Sequence, residues 1–178
     1  MDRNDVNSTA TSDAVTFAFF ERLGRFGLRN ISISDICDDC HISRTTFYRY
    51  FSDKYDVLEK KEASMLKGTL LLSKQDISEE EFITVLEFIK KNMFYYRTIL
   101  DSDFSRRFMV KWSNIINEGF TKRMAEEDKV LDELSLRILS GGFLAGMSFW
   151  IERRPNLSLP EVSDALYKLL FLKYPITE

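Results

Sequence analysis

Residues 31–54 read Ile31-Ser32-Ile33-Ser34-Asp35-Ile36-Cys37-Asp38-Asp39-Cys40-His41-Ile42-Ser43-Arg44-Thr45-Thr46-Phe47-Tyr48-Arg49-Tyr50-Phe51-Ser52-Asp53-Lys54. Ser32 and Asp35 stand at capping-box spacing, although Asp is a shorter third-position partner than Glu. Ile36 and Cys40 fall on one face of the short helix that follows. Ser43 then caps a second short helix, Arg44 to Phe51, with Phe47 and Phe51 at i, i+4. Two helices this short, joined by so few residues, predict a helix-turn-helix rather than a bundle.

The flanks support an all-α fold. Met1 to Thr11 are mostly small and polar and read as a loose arm, with Ser12 as the N-cap of the first helix. Val15, Ala18, Phe19, Leu23 and Phe26 follow at helical spacing. Gly27 sits where that helix should stop, in a left-handed position. Asp53 caps a longer helix whose apolar stripe is interrupted by Glu62. Ser78 and Glu81, and again Ser158 and Glu161, have capping-box spacing before apolar stripes. Gly (7) and Pro (3) are too scarce for strands joined by many tight turns, and no segment alternates as a strand does.

The stretch from about Ser12 to Lys60 resembles the DNA-binding domain of TetR-family regulators. The family pattern is a Thr or Ser cap, an Ile-Ala pair, a Gly-Val-Ser turn, and a Tyr-x-x-Phe recognition helix followed by Lys. Ser32, Ile36, Ser43, Tyr48, Phe51 and Lys54 match it. Two positions depart. His41 stands where the family has Gly, at a left-handed cost that His bears better than most residues. Cys37 and Cys40 stand where Ala is usual. The resemblance implies an all-α protein with an N-terminal three-helix DNA-binding domain (1–55) and a C-terminal helical effector-binding and dimerisation domain (56–178).

A helix placed end-on in a major groove offers its first residues to base edges, here Arg44, Thr45 and Thr46. Arg44 suits a guanine edge, and Thr45 suits a base, a thymine methyl or a phosphate. Ser43 caps and reaches phosphate. Tyr48, Tyr50 and Lys54 resemble the family's phosphate-clamping positions, and Arg49 either joins them or is solvated. Ser32 and Ser34 open the preceding helix, where hydroxyl and backbone N–H groups suit another phosphate. The net charge is −3, so any nucleic-acid binding must come from a local patch.

The second segment is rich in large aromatics. The resemblance implies a pocket for a small hydrophobic effector there, with Tyr96, Phe108 and Trp112 as lining; plain core packing is the alternative. It also implies a homodimer joined by the last two helices, through Leu139, Gly142, Phe143, Gly146, Trp150, Val162, Leu166 and Leu169. Gly142 and Gly146, four apart, admit a close helix. The expected function is that of a DNA-binding transcriptional regulator on a palindromic operator. It would be a repressor released by a small apolar effector, or alternatively an activator or partner-dependent regulator.

Other classes are poorly supported. Cys37-x-x-Cys40-His41 has the form of a haem-attachment motif, but no export leader pattern accompanies it. A structural zinc site needs four ligands, and no second Cys/His pair exists. With one His and no Gly-rich phosphate loop, no catalytic set assembles, so neither an enzyme nor a cofactor is expected. The uncharged run Ile138–Ile151 is too short to span a bilayer, and the expected location is the cytoplasm.

Overall fold

The computed structural model describes residues 3–125, 133–153 and 156–170. These residues hold helices and no strand: α1 (Arg3–Phe26), α2 (Ile33–Cys40), α3 (Arg44–Tyr50), α4 (Lys54–Lys67), α5 (Glu79–Lys91), α6 (Met93–Leu100), α7 (Ser105–Ala125), α8 (Glu133–Arg153) and α9 (Leu159–Leu170). Short 3₁₀ turns lie at Leu28–Asn30 and Leu70–Ser73.

The three capping boxes form as expected. Asp35 N donates to Ser32 Oγ at 3.1 Å, and Ser32 N to Asp35 Oδ2 at 3.0 Å. Ser78 with Glu81, and Ser158 with Glu161, close in the same way. His41 ends α2 at φ 53°, ψ 42°, so the left-handed position expected of the turn is real. Two expectations need correction. α1 begins at Arg3 rather than Ser12, whose carbonyl accepts from Thr16 Oγ1 at 2.8 Å inside the helix. The polar arm contains no Gly or Pro to stop propagation. Met1 and Asp2 lie outside the described residues. Gly27 has positive φ, but at φ 71°, ψ 156° it is extended rather than left-handed helical. An added Cβ there would meet nothing, so backbone conformation alone calls for glycine.

The core runs unbroken from Val15, Phe19 and Phe47 through Val57 and Met65 to Phe143, Trp150 and Leu166. α4 packs on α1 and reaches α7, so it ties the N-terminal helices to the C-terminal ones. The Glu62 side chain that interrupts its stripe is 1% exposed and ion-paired to α7, to Arg107 at 3.1 Å and Lys111 at 2.7 Å. α8 is apolar enough by length and composition to cross a membrane, with a mean hydropathy of 1.4. Its inner side nevertheless belongs to the core: Leu139, Phe143, Leu144, Met147, Trp150 and Ile151 are buried.

Candidate nucleic-acid interface

The candidate surface is built on α2 and α3, which pack on each other, with α2 packed on α1. Phe47 is fully buried and Phe51 nearly so, their rings 5.8 Å apart, and they seat α3 on the core. Seating one face of a helix that short leaves its first turn outside. Arg44 and Thr45 are exposed, as are Tyr48 and Arg49. Ser43 caps the helix, accepting from Thr46 N at 3.1 Å and sharing a hydroxyl contact with Thr46 Oγ1 at 2.9 Å. Thr46 is thus partly committed to the cap. Arg44 and Thr45 are the side chains left exposed at the start of α3.

Tyr48 is 52% exposed, held edge-on against Phe47 at 5.6 Å. Tyr50 is half-buried against the core, and its carbonyl accepts from Lys60 Nζ at 2.9 Å. Lys54 is half-buried as well. Its ammonium donates to the carbonyls of Leu28 at 2.9 Å and Ile31 at 2.8 Å. It closes the 3₁₀ turn after α1, and one N–H remains for another acceptor.

α2 carries Asp35, Asp38 and Asp39, an unfavourable charge beside a polyanion. Two of these are answered within the fold. Arg22 on α1 grips Asp39 with two hydrogen bonds, 2.5 and 2.8 Å, and stands 3.8 Å from Asp35. The Arg22 hydrogen bond holds the Asp39 carboxyl below the usual carboxylate range. Bonds from Ser32 do the same for Asp35. Ser32 spends its hydroxyl on that carboxylate at 2.6 Å, and Ser34 beside it is half-buried. The sequence reading missed the Arg22–Asp39 clasp; its signal was an arginine on the edge of an apolar stripe.

Cys37 is buried and Cys40 half-buried, both free. Burial pushes both thiols up, away from the thiolate that redox chemistry needs. This fits their reading as alanine substitutes packed beneath α3.

In the second domain, Tyr96, Phe108 and Trp112 come together as expected, but as core. All three are fully buried, with ring centroids 5.4–5.9 Å apart. The Tyr96 hydroxyl donates to Met65 O at 2.8 Å. None of them lines the surface cavities of about 440–560 Å³ found among the described residues.

Most of the expected dimer residues already have partners within one chain. Leu139, Phe143, Trp150, Val162 and Leu166 are buried within one chain. Gly146 receives Leu166 from α9 of the same chain, with Cδ2 2.8 Å from an added Cβ, and Gly142 faces Leu169 at 3.9 Å. The helix these glycines admit is therefore α9 itself. α8 is apolar on both sides, and the stripe read from the sequence was its inner one. Its outer side carries Leu134 (67% exposed), Ile138 (61%) and Phe149 (52%), with Gly141 and Ala145 between them.

Comparison with known proteins agrees with this geometry. Residues 20–60 match the model for bacterial regulatory proteins of the tetR family. Over 121 residues the chain is 26% identical to the HTH-type dhaKLM operon transcriptional activator DhaS of Lactococcus lactis subsp. lactis (strain IL1403). That match spans 65% of this chain and 63% of the relative, less than two thirds of its length. Among solved structures, a TetR transcriptional regulator from Streptococcus agalactiae 2603V superposes with a TM-score of 0.63 at 19% identity, over 94% of this chain and 97% of that one. The dihydroxyacetone kinase operon activator DhaS gives 0.59 at 20%, over 90% and 93%. Thermus thermophilus FadR, a TetR-family transcriptional repressor in complex with lauroyl-CoA, gives 0.54 at 18%, over 94% and 96%. At these identities the structural likeness speaks for the fold.

Proposed function

We propose that the chain, a tetR-family protein by the match of residues 20–60 to the family model, works as a homodimer whose two α3 helices read a two-fold symmetric operator. The observation that carries this is the exposed first turn of α3, with Arg44 and Thr45 free of internal partners among the described residues, on a helix anchored by Phe47 and Phe51. Arg44, Thr45 and Thr46 read base edges. Ser43, Tyr48, Arg49, Tyr50, Lys54 and Ser34 set register on phosphates, while Ser32, committed to Asp35, fixes the start of α2 beside them. The division at residues 55/56 is one of labour, reading before it and assembly after it. This reading goes with a cytoplasmic location.

The outer side of α8 supports the dimer. A helix apolar all round is normally covered on both sides. The second copy would cover Leu134, Ile138, Gly141, Ala145 and Phe149, together with Ala165 and Leu169 of α9. Ile138→Asp and Phe149→Asp should each yield a folded monomer by light scattering. A dimer that survives both changes would remove this face from the reading.

Repression relieved by a small apolar effector would require the second domain to open a cavity. The mutual packing of Tyr96, Phe108 and Trp112 supports a second reading, an activator or partner-dependent regulator, and the DhaS relative carries the name of an activator. Transcription in vitro from the recovered operator tests the direction: the repressor reading requires less transcript on adding protein, the activator reading more.

A further inference from the structure

α5 and α9 enclose a groove of about 520 Å³, apart from the DNA-reading surface. Its α5 wall is Glu79, Ile83 and Glu87, spaced four residues apart and so on one helix face. α9 supplies Leu159, Ser163, Asp164, Tyr167 and Lys168. The Phe82 and Tyr167 rings lie 5.5 Å apart, so the start of α5 lies beside the end of α9.

One wall atom is incomplete. Ser163 is 3% exposed, and its Oγ is buried with no hydrogen-bond partner. Buried hydroxyls are rarely left so, which points to a group from outside the chain. Three carboxylates line the groove against one ammonium, that of Lys168, which Asp164 already holds at 2.7 Å. Neither Glu79 nor Glu87 has an ion-pair partner among the described residues. Eight residues of helix set their Cα atoms about 12 Å apart, too far for one metal ion to bind both, with apolar Ile83 between them. An extended polycation with aliphatic spacers fits this layout. Its ammonium groups meet the two carboxylates, its methylenes cover Ile83 and Leu159, and an N–H completes Ser163 Oγ.

We propose that the groove between α5 and α9 is a binding site for a linear aliphatic di- or polyamine. The test is calorimetric titration of the full chain with spermidine, without DNA. Saturable one-site binding is expected. It should weaken about tenfold or more in the Glu79→Gln/Glu87→Gln double variant and by a smaller factor in Ser163→Ala, with helical circular dichroism unchanged. Equal charge removal elsewhere, Glu118→Gln with Glu133→Gln, should leave it intact. A neutral diol of matching length should not compete. The proposal is overturned by absence of binding at millimolar spermidine, by binding that survives the Glu79/Glu87 change, or by equal weakening in both double variants. Because DNA is absent, failure here leaves the reading of α3 untouched, and a failed operator search leaves the groove untouched.

Discussion

Glu62 lets two opposite truncations of one ion cluster be compared. Its carboxylate is 1% exposed, whereas the cations that hold it, Arg107 and Lys111, are 42% and 46% exposed. Removing the cations by Arg107→Ala with Lys111→Ala leaves a buried carboxylate without compensation, at a cost of about 3–5 kcal/mol. Removing the anion by Glu62→Met leaves two cations that water already reaches and fills the site with an apolar chain of similar volume. The expected cost is below about 1.5 kcal/mol, with a small gain equally consistent with the physics. For a chain of this length, about 2–4 °C of melting temperature accompanies each kcal/mol, so the double variant should melt roughly 6–20 °C lower. Urea unfolding of the three proteins at neutral pH reads the comparison directly. If Glu62→Met proves as damaging as the double variant, the asymmetry of burial is not what governs the α4–α7 contact. α4 is the helix that directly follows α3. For that reason Glu62→Met should also alter the effect of any effector on operator affinity more than operator affinity itself.

Other consequences follow from single contacts. An alanine Cβ at Gly68 would run into the Phe88 ring, and one at Gly119 into the Leu72 carbonyl, so Gly68→Ala and Gly119→Ala should each destabilise by about 1–3 kcal/mol in thermal unfolding. Gly141→Ala meets nothing and should gain up to about 1 kcal/mol from helix propensity, measured on a monomeric background such as Phe149→Asp. Asp39 is held below its ordinary range by Arg22, so the clasp is fully present above about pH 4 and fades as pH falls through the depressed value. At this exposure it contributes at most about 1 kcal/mol. Asp39→Asn should flatten the acid limb of the urea midpoint against pH, and an unchanged limb would place the acid sensitivity elsewhere.

The helix-turn-helix was legible in the sequence because its determinants are local. A Ser-x-x-Asp box, a cap two residues after His41, and Phe47 and Phe51 at i, i+4 each act within a turn or two of helix. What failed were boundaries and faces that only tertiary partners decide. α1 runs past Ser12 because nothing in the arm stops it. The glycines of α8 face α9 of their own chain because a helix apolar on two sides gives no local sign of which side is inward. Tyr96, Phe108 and Trp112 were correctly grouped, but aromatic spacing is the same for a lined cavity and a filled core. Lys54 aligns with a phosphate-clamping pattern, and only the folded chain brings the Leu28 and Ile31 carbonyls to its ammonium. The Glu62 cluster joins residues 45 and 49 positions apart, beyond any periodicity argument.

The measurement that bears most directly on the central claim is selection from a pool of random duplex DNA by the purified chain at near-physiological salt, repeated with Arg44→Ala and with protein refolded free of any carried ligand. Recovery of a two-fold symmetric site is predicted, with half-sites about 34–36 Å apart or a multiple of that spacing. Arg44→Ala should relax preference at one base position per half-site, at a cost of about 1–3 kcal/mol for the favoured base. If the refolded wild-type chain selects no sequence, or if Arg44→Ala recovers the same site with the same preference at every position, α3 does not read DNA as described.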